Sequence, residues 1–254
     1  MERIKFLKKE IASLSFKSNE GHVASAYSIM DLLWVLFKDV LKINEKKLQL
    51  FDRFVLSKGH ASLALYAILL ETNQVTYEEF LSFCEYDSKL GGHPDSNKLP
   101  CVTASTGSLG HGLAISVGMA IASKIKKIDN RIFCLLGDGE CNEGSVWESA
   151  LLSSEHKLNN LCCIVDMNHS GDRALKLEKL DQKFNSFGFE VIVINGHNHG
   201  QILEAYKYIH EKKPIAIIAE TIKGNGVKIM ENSPAWHHRS PTKDELVLIL
   251  EELS

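Results

Sequence analysis

Residues 137–168 read GDGECNEGSVWESALLSSEHKLNNLCCIVDMN, and this stretch decides the fold class. Asp138 and Asn168 carry side-chain oxygens, and each follows a short apolar run of β type, 131–136 before the first and 161–165 before the second. A helical pattern over 145–157 joins them. Strand, oxygen ligand, helix, strand, oxygen ligand makes one βαβ unit. Ligands of such units bind beyond the carboxyl ends of the parallel strands. One carboxylate and one amide oxygen suit a hard cation such as Mg²⁺ or Ca²⁺, and Mg²⁺ is often held by one or two carboxylates plus the phosphates of a ligand. The pair therefore predicts a metal that bridges protein to a diphosphate. Gly139 has no Cβ, so backbone N–H groups can approach phosphates closely, and the start of the following helix favours an anion. GDG alone is a common turn, and an Asp after a strand is often only a helix cap; the full pattern carries the reading. An EF-hand loop from Asp138 needs Gly where Glu143 stands, and there is no GxxxxGK[S/T] loop and no GxGxxG after a strand.

Working outward, further motifs follow in order: Gly21-His22, 52–61 (DRFVLSKGHA), 92–95 (GHPD), 105–113 (STGSLGHGL), 187–191 (FGFEV) and 220–237 (ETIKGNGVKIMENSPAWH). With 137–168, which resembles the thiamine diphosphate signature, they make the chain similar to the amino-terminal half of transketolases over nearly its whole length. The resemblance implies an α/β thiamine diphosphate-binding fold, a parallel sheet flanked by helices on both faces, as one diphosphate- and metal-binding domain over 1–254. It implies thiamine diphosphate and Mg²⁺ (or Ca²⁺) as cofactors.

Composition agrees with a folded α/β domain. The chain has 254 residues, 44% hydrophobic and 24% charged, with a net charge of −3. Nothing in that balance points to nucleic acid, and the longest apolar runs are too short to span a bilayer. The amino terminus, MERIKFLKKEIASL, is charged throughout and lacks a signal-peptide core, so a cytoplasmic protein is expected. Six cysteines show no CxxC spacing and read as buried thiols; Cys162 and Cys163, adjacent in a strand, are expected on opposite faces. Helical patterns fall at 4–16, 27–37, 62–71, 77–84, 108–126, 201–211 and 243–252, and buried parallel strands at 54–56, 132–136, 161–165, 190–194 and 215–219. Their alternation predicts a doubly wound sheet.

Of 11 histidines, His156, His169, His197, His199, His210 and His238 read as solvent-exposed imidazoles without a task. His22, His60, His93, His111 and His237 lie beside Gly or in tight loops, where a structural role and a proton-transfer role near neutral pH are both open. No HxxxH or Cys/His pair spacing supports zinc. The resemblance assigns roles residue by residue. His60 and His237 match contacts to the diphosphate. His22, His93 and His237 match residues that line the donor-sugar channel and assist proton transfer. Gly107 and Leu109 match contacts near the aminopyrimidine. Asp138, Asn168 and the Ser170 carbonyl match metal ligands. Glu143 and Glu148 match an acidic network at a dimer interface between the two active sites, which places Glu143 among the catalytic residues and implies self-association across that face.

The chain departs from the resemblance in three places. Family members carry a second domain that supplies the glutamate activating the cofactor, and no candidate segment for it follows Pro241. The pyrimidine-binding and carboxy-terminal domains are therefore expected on a separate chain, in a heterotetramer. The segment after Asn168, HSGDR, reaches the LEKL run about five residues sooner than is usual, at a place where loops vary; Arg173 there could meet an anion. His238-Arg239 follows His237 where a small residue is common; a narrowed channel mouth and a neutral surface change are both open. The expected activity is transfer of a two-carbon ketol unit from a ketose, as sugar or sugar phosphate, to an aldose. A carboligase subunit for a specialised sugar, in branched-sugar or capsule biosynthesis, and a non-catalytic scaffold are the alternatives.

Overall fold

The computed structural model describes residues 2–44, 49–50, 52–173 and 175–254. Five runs rich in Ile, Val, Cys and Phe are too short for buried helices, and four of them are buried along most of their length, the signature of parallel strands; the fifth, at one edge of the sheet, is partly exposed. They are β3 (Arg53–Leu56), β4 (Ile132–Gly137), β5 (Leu161–Met167), β6 (Glu190–Asn195) and β7 (Ile215–Glu220). All pair in parallel in the order β3-β4-β5-β7-β6. A separate antiparallel pair, β1 (Ile43–Asn44) and β2 (Gln49–Leu50), precedes β3. Register aligns Leu56, Leu135, Ile164, Ile217 and Ile192 in one row across the sheet.

The period-two alternation of strand side chains divides the core. On one face Phe133, Leu135, Cys162 and Ile217 pack with residues of α1 (Glu2–Ser18), α2 (Val23–Val35), α3 (Ser62–Glu71), α8 (His199–Lys207) and α9 (Lys243–Glu252). On the other, Cys134, Cys163, Val165 and Ile218 pack with α5 (His111–Ile125), α6 (Gly144–Glu155) and α7 (Leu180–Ser186). Cys162 and Cys163 thus do face opposite layers. The short α4 (Tyr77–Leu81) carries a capping box between Thr76 and Glu79, and α9 carries one between Thr242 and Glu245.

The expected elements are all present, with ends moved by a few residues. Helix α2 starts earlier, directly after His22, and passes into a π-turn at Leu36–Val40. Helix α7 lies outside the expected set because its seven residues bury only Leu180 and Phe184, too brief a period to read. Among the described residues no helix is long and apolar enough to cross a membrane.

Two features position the site. Strands β3, β4, β5 and β7 all deliver their carboxyl ends to the same rim of the sheet. Unit β4–α6–β5 has the parallel geometry read from the sequence. Strand β6 pairs only with β7 in this sheet, and its Val193 is exposed.

Leu135→Ala, in the middle of the row, is expected to cost about 2–5 kcal/mol, and Thr242→Ala, which removes one cap, about 0.5–2 kcal/mol. Urea unfolding of the full chain measures both. A smaller loss for Leu135 than for Thr242 would contradict this account of the core.

Candidate functional site

The rim is organised around a fully buried carboxylate, Asp166, near the end of β5. Its Oδ2 accepts hydrogen bonds from Ser28 Oγ of α2 (2.7 Å), Lys58 Nζ after β3 (2.5 Å) and Asn168 Nδ2 (2.8 Å). Its Oδ1 accepts from Thr221 Oγ1 after β7. Lys58 is itself 1% exposed. A buried ion pair is tolerated only where further hydrogen bonds satisfy the remaining lone pairs, and here three hydroxyl or amide donors do so. Because Asn168 spends its amide N–H on Asp166, its Oδ1 is turned to the loop that follows, where Ser170 donates through its backbone N–H (3.0 Å) and its hydroxyl.

A second buried carboxylate, Glu140, accepts from Ser57 Oγ, from Gly110 N (2.8 Å) and from Gly137 N (3.1 Å). It ties the GDG turn to the end of β3 and to the loop before α5. Burial pushes its carboxyl above the usual range.

Asp138 differs from both. Among the described residues its hydrogen bonds come only from backbone N–H groups, Gly139 (2.7 Å) and Gly171 (3.4 Å). Burial, and then the neighbouring Asp166 charge, push its carboxyl up. A buried carboxylate short of positive charge, beside an amide oxygen fixed by its own hydrogen bonds, is a hard-oxygen donor set of the kind Mg²⁺ and Ca²⁺ take. Among the described residues no cluster of three His, Cys, Asp or Glu side chains is arranged for a metal. The two turns pack backbone against backbone at the cavity. A Cβ on Gly171 would lie 2.6 Å from Gly139 Cα, and one on Gly139 would lie 3.3 Å from Gly171 Cα.

One cavity of about 360 Å³ collects His22, His60, His93, Gly107, Leu109, Asp138, Gly139, Asn168, Ser170 and His237. These sequence-predicted residues come from segments spread along almost the whole chain. A wider space of about 620 Å³ adjoins it through Asn168, Ser170 and His237, and adds Lys223 and Asn232. Gly107 has φ +151°, and a Cβ there would lie 3.0 Å from the His93 ring, so the GHPD loop can close on the cavity only over glycine. Glu143 does not line the cavity. It is the exposed N-cap of α6, and Glu148 is exposed one turn on. Both lie on a surface where α5 and α6 pack together and expose Ile115, Leu151 and Leu152. The side chain of Arg173 lies outside the described residues.

The histidines form a cluster. His22 lies 4.9 Å from His60 and 6.0 Å from His237, ring centre to ring centre. Burial first, then the neighbouring imidazoles and Lys223, lowers His22 to about 3. Burial first, then Lys58, lowers His60 to about 2. His237 is lowered by the same kinds of cause. Its Nδ1 lies 3.0 Å from Lys223 Nζ, a donor, so its proton belongs on Nε2.

Sequence reasoning missed Lys58, Glu140, Asp166 and Lys223. Asp166 left a signal, a charge inside an otherwise apolar strand, and such a residue demands a buried partner. The expectation of six idle histidines is corrected for five of them; His156 is exposed, as expected. His197 Nδ1 and His199 Nε2 both contact the buried Asp31 (2.9 and 2.8 Å), and His197 Nε2 accepts from Ile222 N, fastening the loop that carries Lys223. His169 bridges Glu220 and Asp172, His210 Nδ1 accepts from the backbone of Lys212 and Lys213, and His238 stacks on His22. Their partners lie far off in sequence, or on turns whose shape the sequence leaves open.

Comparison with known proteins matches this arrangement. Residues 3–253 fit the family described as transketolase, thiamine diphosphate binding domain. The chain is 35% identical to a protein of Phocaeicola vulgatus and 37% identical to one of Actinobacillus succinogenes, each named as a subunit of apulose-4-phosphate transketolase. The alignments cover 97% and 99% of this chain and 91% and 95% of those proteins. The crystal structure of transketolase from Campylobacter jejuni superposes with a TM-score of 0.89 at 33% identity, over 99% of this chain but only 42% of that one. The chain thus spans nearly the full length of the two subunits and less than half of the undivided enzyme. Fold, strand-end site and sequence agree: the chain belongs to the transketolase family, as its thiamine diphosphate-binding domain.

Proposed function

We propose that this chain is the amino-terminal subunit of a split transketolase-type enzyme that moves a two-carbon ketol unit from a ketose to an aldose. The observation that carries the reading is the meeting of Asp138, Asn168, His60 and His237 in one cavity at the strand ends. The near-complete overlap with two chains that are themselves named as transketolase subunits supports the split format.

In this reading Asp138, the Asn168 amide oxygen and the Ser170 carbonyl hold the divalent ion, and Gly139 and the start of the next turn receive the diphosphate. His60 and His237 contact the diphosphate, and Gly107 and Leu109 border the aminopyrimidine end. Thiamine diphosphate, when bound, supplies the carbon nucleophile and electron sink for C–C cleavage. The protein's part is to bind, orient and move protons. His22, His93 and His237 face the donor hydroxyls and carbonyl. A neutral imidazole at His22 can accept a hydrogen bond from a sugar hydroxyl, which an imidazolium cannot, and a neutral His60 can still donate its ring N–H to the diphosphate. His237, with its Nδ1 facing the Lys223 ammonium, presents Nε2–H as a donor. Glu143 and Glu148 belong to a contact with a second copy, where exposed Ile115, Leu151 and Leu152 also become buried. A carboxy-terminal subunit supplies the activating glutamate, the assembly is a heterotetramer, and it works in the cytoplasm.

A narrower substrate has one specific support. The two subunits that match end to end are both named for apulose 4-phosphate, which favours a phosphorylated branched ketose as the donor.

Three outcomes are expected. The purified chain alone shows no turnover, and activity follows addition of its carboxy-terminal mate with thiamine diphosphate and Mg²⁺; turnover by the chain alone would sink the split format. Asp138→Asn weakens Mg²⁺-dependent cofactor binding in the complex by about 100-fold or more, since even outer-shell partners of a metal are worth about 10–100-fold; calorimetric titration that finds wild-type affinity would remove Asp138 from the metal site. Finally, His22 and His60 are held below their ordinary value of 6.5, so the unfolded chain binds more protons over the pH range beneath it. Stability is then lost as pH falls below about 6.5. Urea unfolding from pH 7 to pH 4 should show that loss, reduced in His60→Gln; equal slopes for the two proteins would contradict the buried, neutral imidazole.

A further inference from the structure

His238 stands against the face of His22, with ring centres 4.3 Å apart and planes at 16°. Its Nε2 lies 3.8 Å from Glu20 Oε2, so one end of the imidazole meets a carboxylate while its face covers His22. The backbone brings the two residues side by side. His22 and Arg239 form a parallel bridge. Ser15 Oγ donates to Glu20 O (2.6 Å) and lies 3.2 Å from Ser240 Oγ. The Arg239 guanidinium lies 4.2 Å over the ring of buried Trp236 and bonds Glu245 in the cap of α9. Gly21, at φ +117° with no space for a Cβ beside Leu63, delivers His22 into the bridge. The segments 20–22 and 236–240 are therefore held together, which brings the exposed His238 ring beside His22.

We propose that His238 is a positioning residue: by stacking on His22 it fixes the orientation of the His22 imidazole at the cavity mouth, and so sets how tightly a ketose donor is held. The donor part rests on the role given to His22 above. An aromatic face restricts ring rotation through contact geometry, and a side chain without a ring in its place leaves the His22 imidazole free to turn. The polar end of His238 allows the stack to exist at a wet surface, where a wholly apolar ring gains less.

The test uses two variants of the full chain. His238→Gly removes the stack; His238→Phe keeps it and removes the Glu20 pair. The first readout is the NMR spectrum of the His22 ring in each chain. His22 is expected to lose its ring-current shift and its contacts to residue 238 in the Gly variant and to retain both in the Phe variant. The second readout is kinetics of the complex with its carboxy-terminal mate, thiamine diphosphate and Mg²⁺, with D-xylulose 5-phosphate as the donor probe. KM is expected to rise about two- to tenfold in His238→Gly, the scale an aromatic pair carries, with kcat within about twofold of wild type and with KM restored in His238→Phe. Unmoved His22 resonances in His238→Gly overturn the proposal. Moved resonances with an unmoved KM overturn its donor role. Where the wild-type complex does not turn over this donor, the His22 resonances decide the positioning by themselves: moved in His238→Gly they support it, unmoved they overturn it.

Discussion

The site depends on the burial of Asp166. A carboxylate with no water around it must find several donors or the strand that carries it cannot stay in the sheet. Its donors arrive from α2, from the end of β3, from the residue after β5 and from the residue after β7. Satisfying one charge therefore fixes the relative height of three strand ends and one helix. Breaking the Lys58–Asp166 pair leaves one buried charge uncompensated, which commonly costs about 3–5 kcal/mol. The loss would fall on the rim of the sheet, where Asn168 takes its orientation from the same carboxylate.

Asp166 shares this rim with two other buried carboxylates, and the three are satisfied differently. Asp166 has an ammonium, and Glu140 has a hydroxyl and two backbone N–H groups. Asp138 has backbone N–H groups and no ion pair among the described residues. The first two hold the frame; the third carries the charge the frame does not neutralise. That division separates scaffold from site more clearly than burial does, because all three are buried.

Much of this is legible in the sequence alone. The βαβ unit follows from two apolar runs, a helical pattern and two oxygen-bearing residues at matching places. Its neighbours follow from glycine- and histidine-bearing loops between elements. What the sequence does not display is pairing at a distance. Asp31 meets His197 and His199 across more than 160 positions, and nothing local at either place announces the other. The idle reading of those histidines fails because it infers exposure from polar surroundings in sequence, whereas the fold brings α2 beneath them. Asp166 escapes notice for the opposite reason. Its signal is local, but it sits in a strand whose apolar residues dominate the pattern.

Gly139 and Gly171 approach so closely that neither tolerates a side chain without moving the other's backbone. The two turns are thus inherited as a pair. A substitution at either glycine therefore presses on the backbone of the other turn. Insertions and deletions in the loop after β5 have freedom only on the far side of Gly171, away from Asp138.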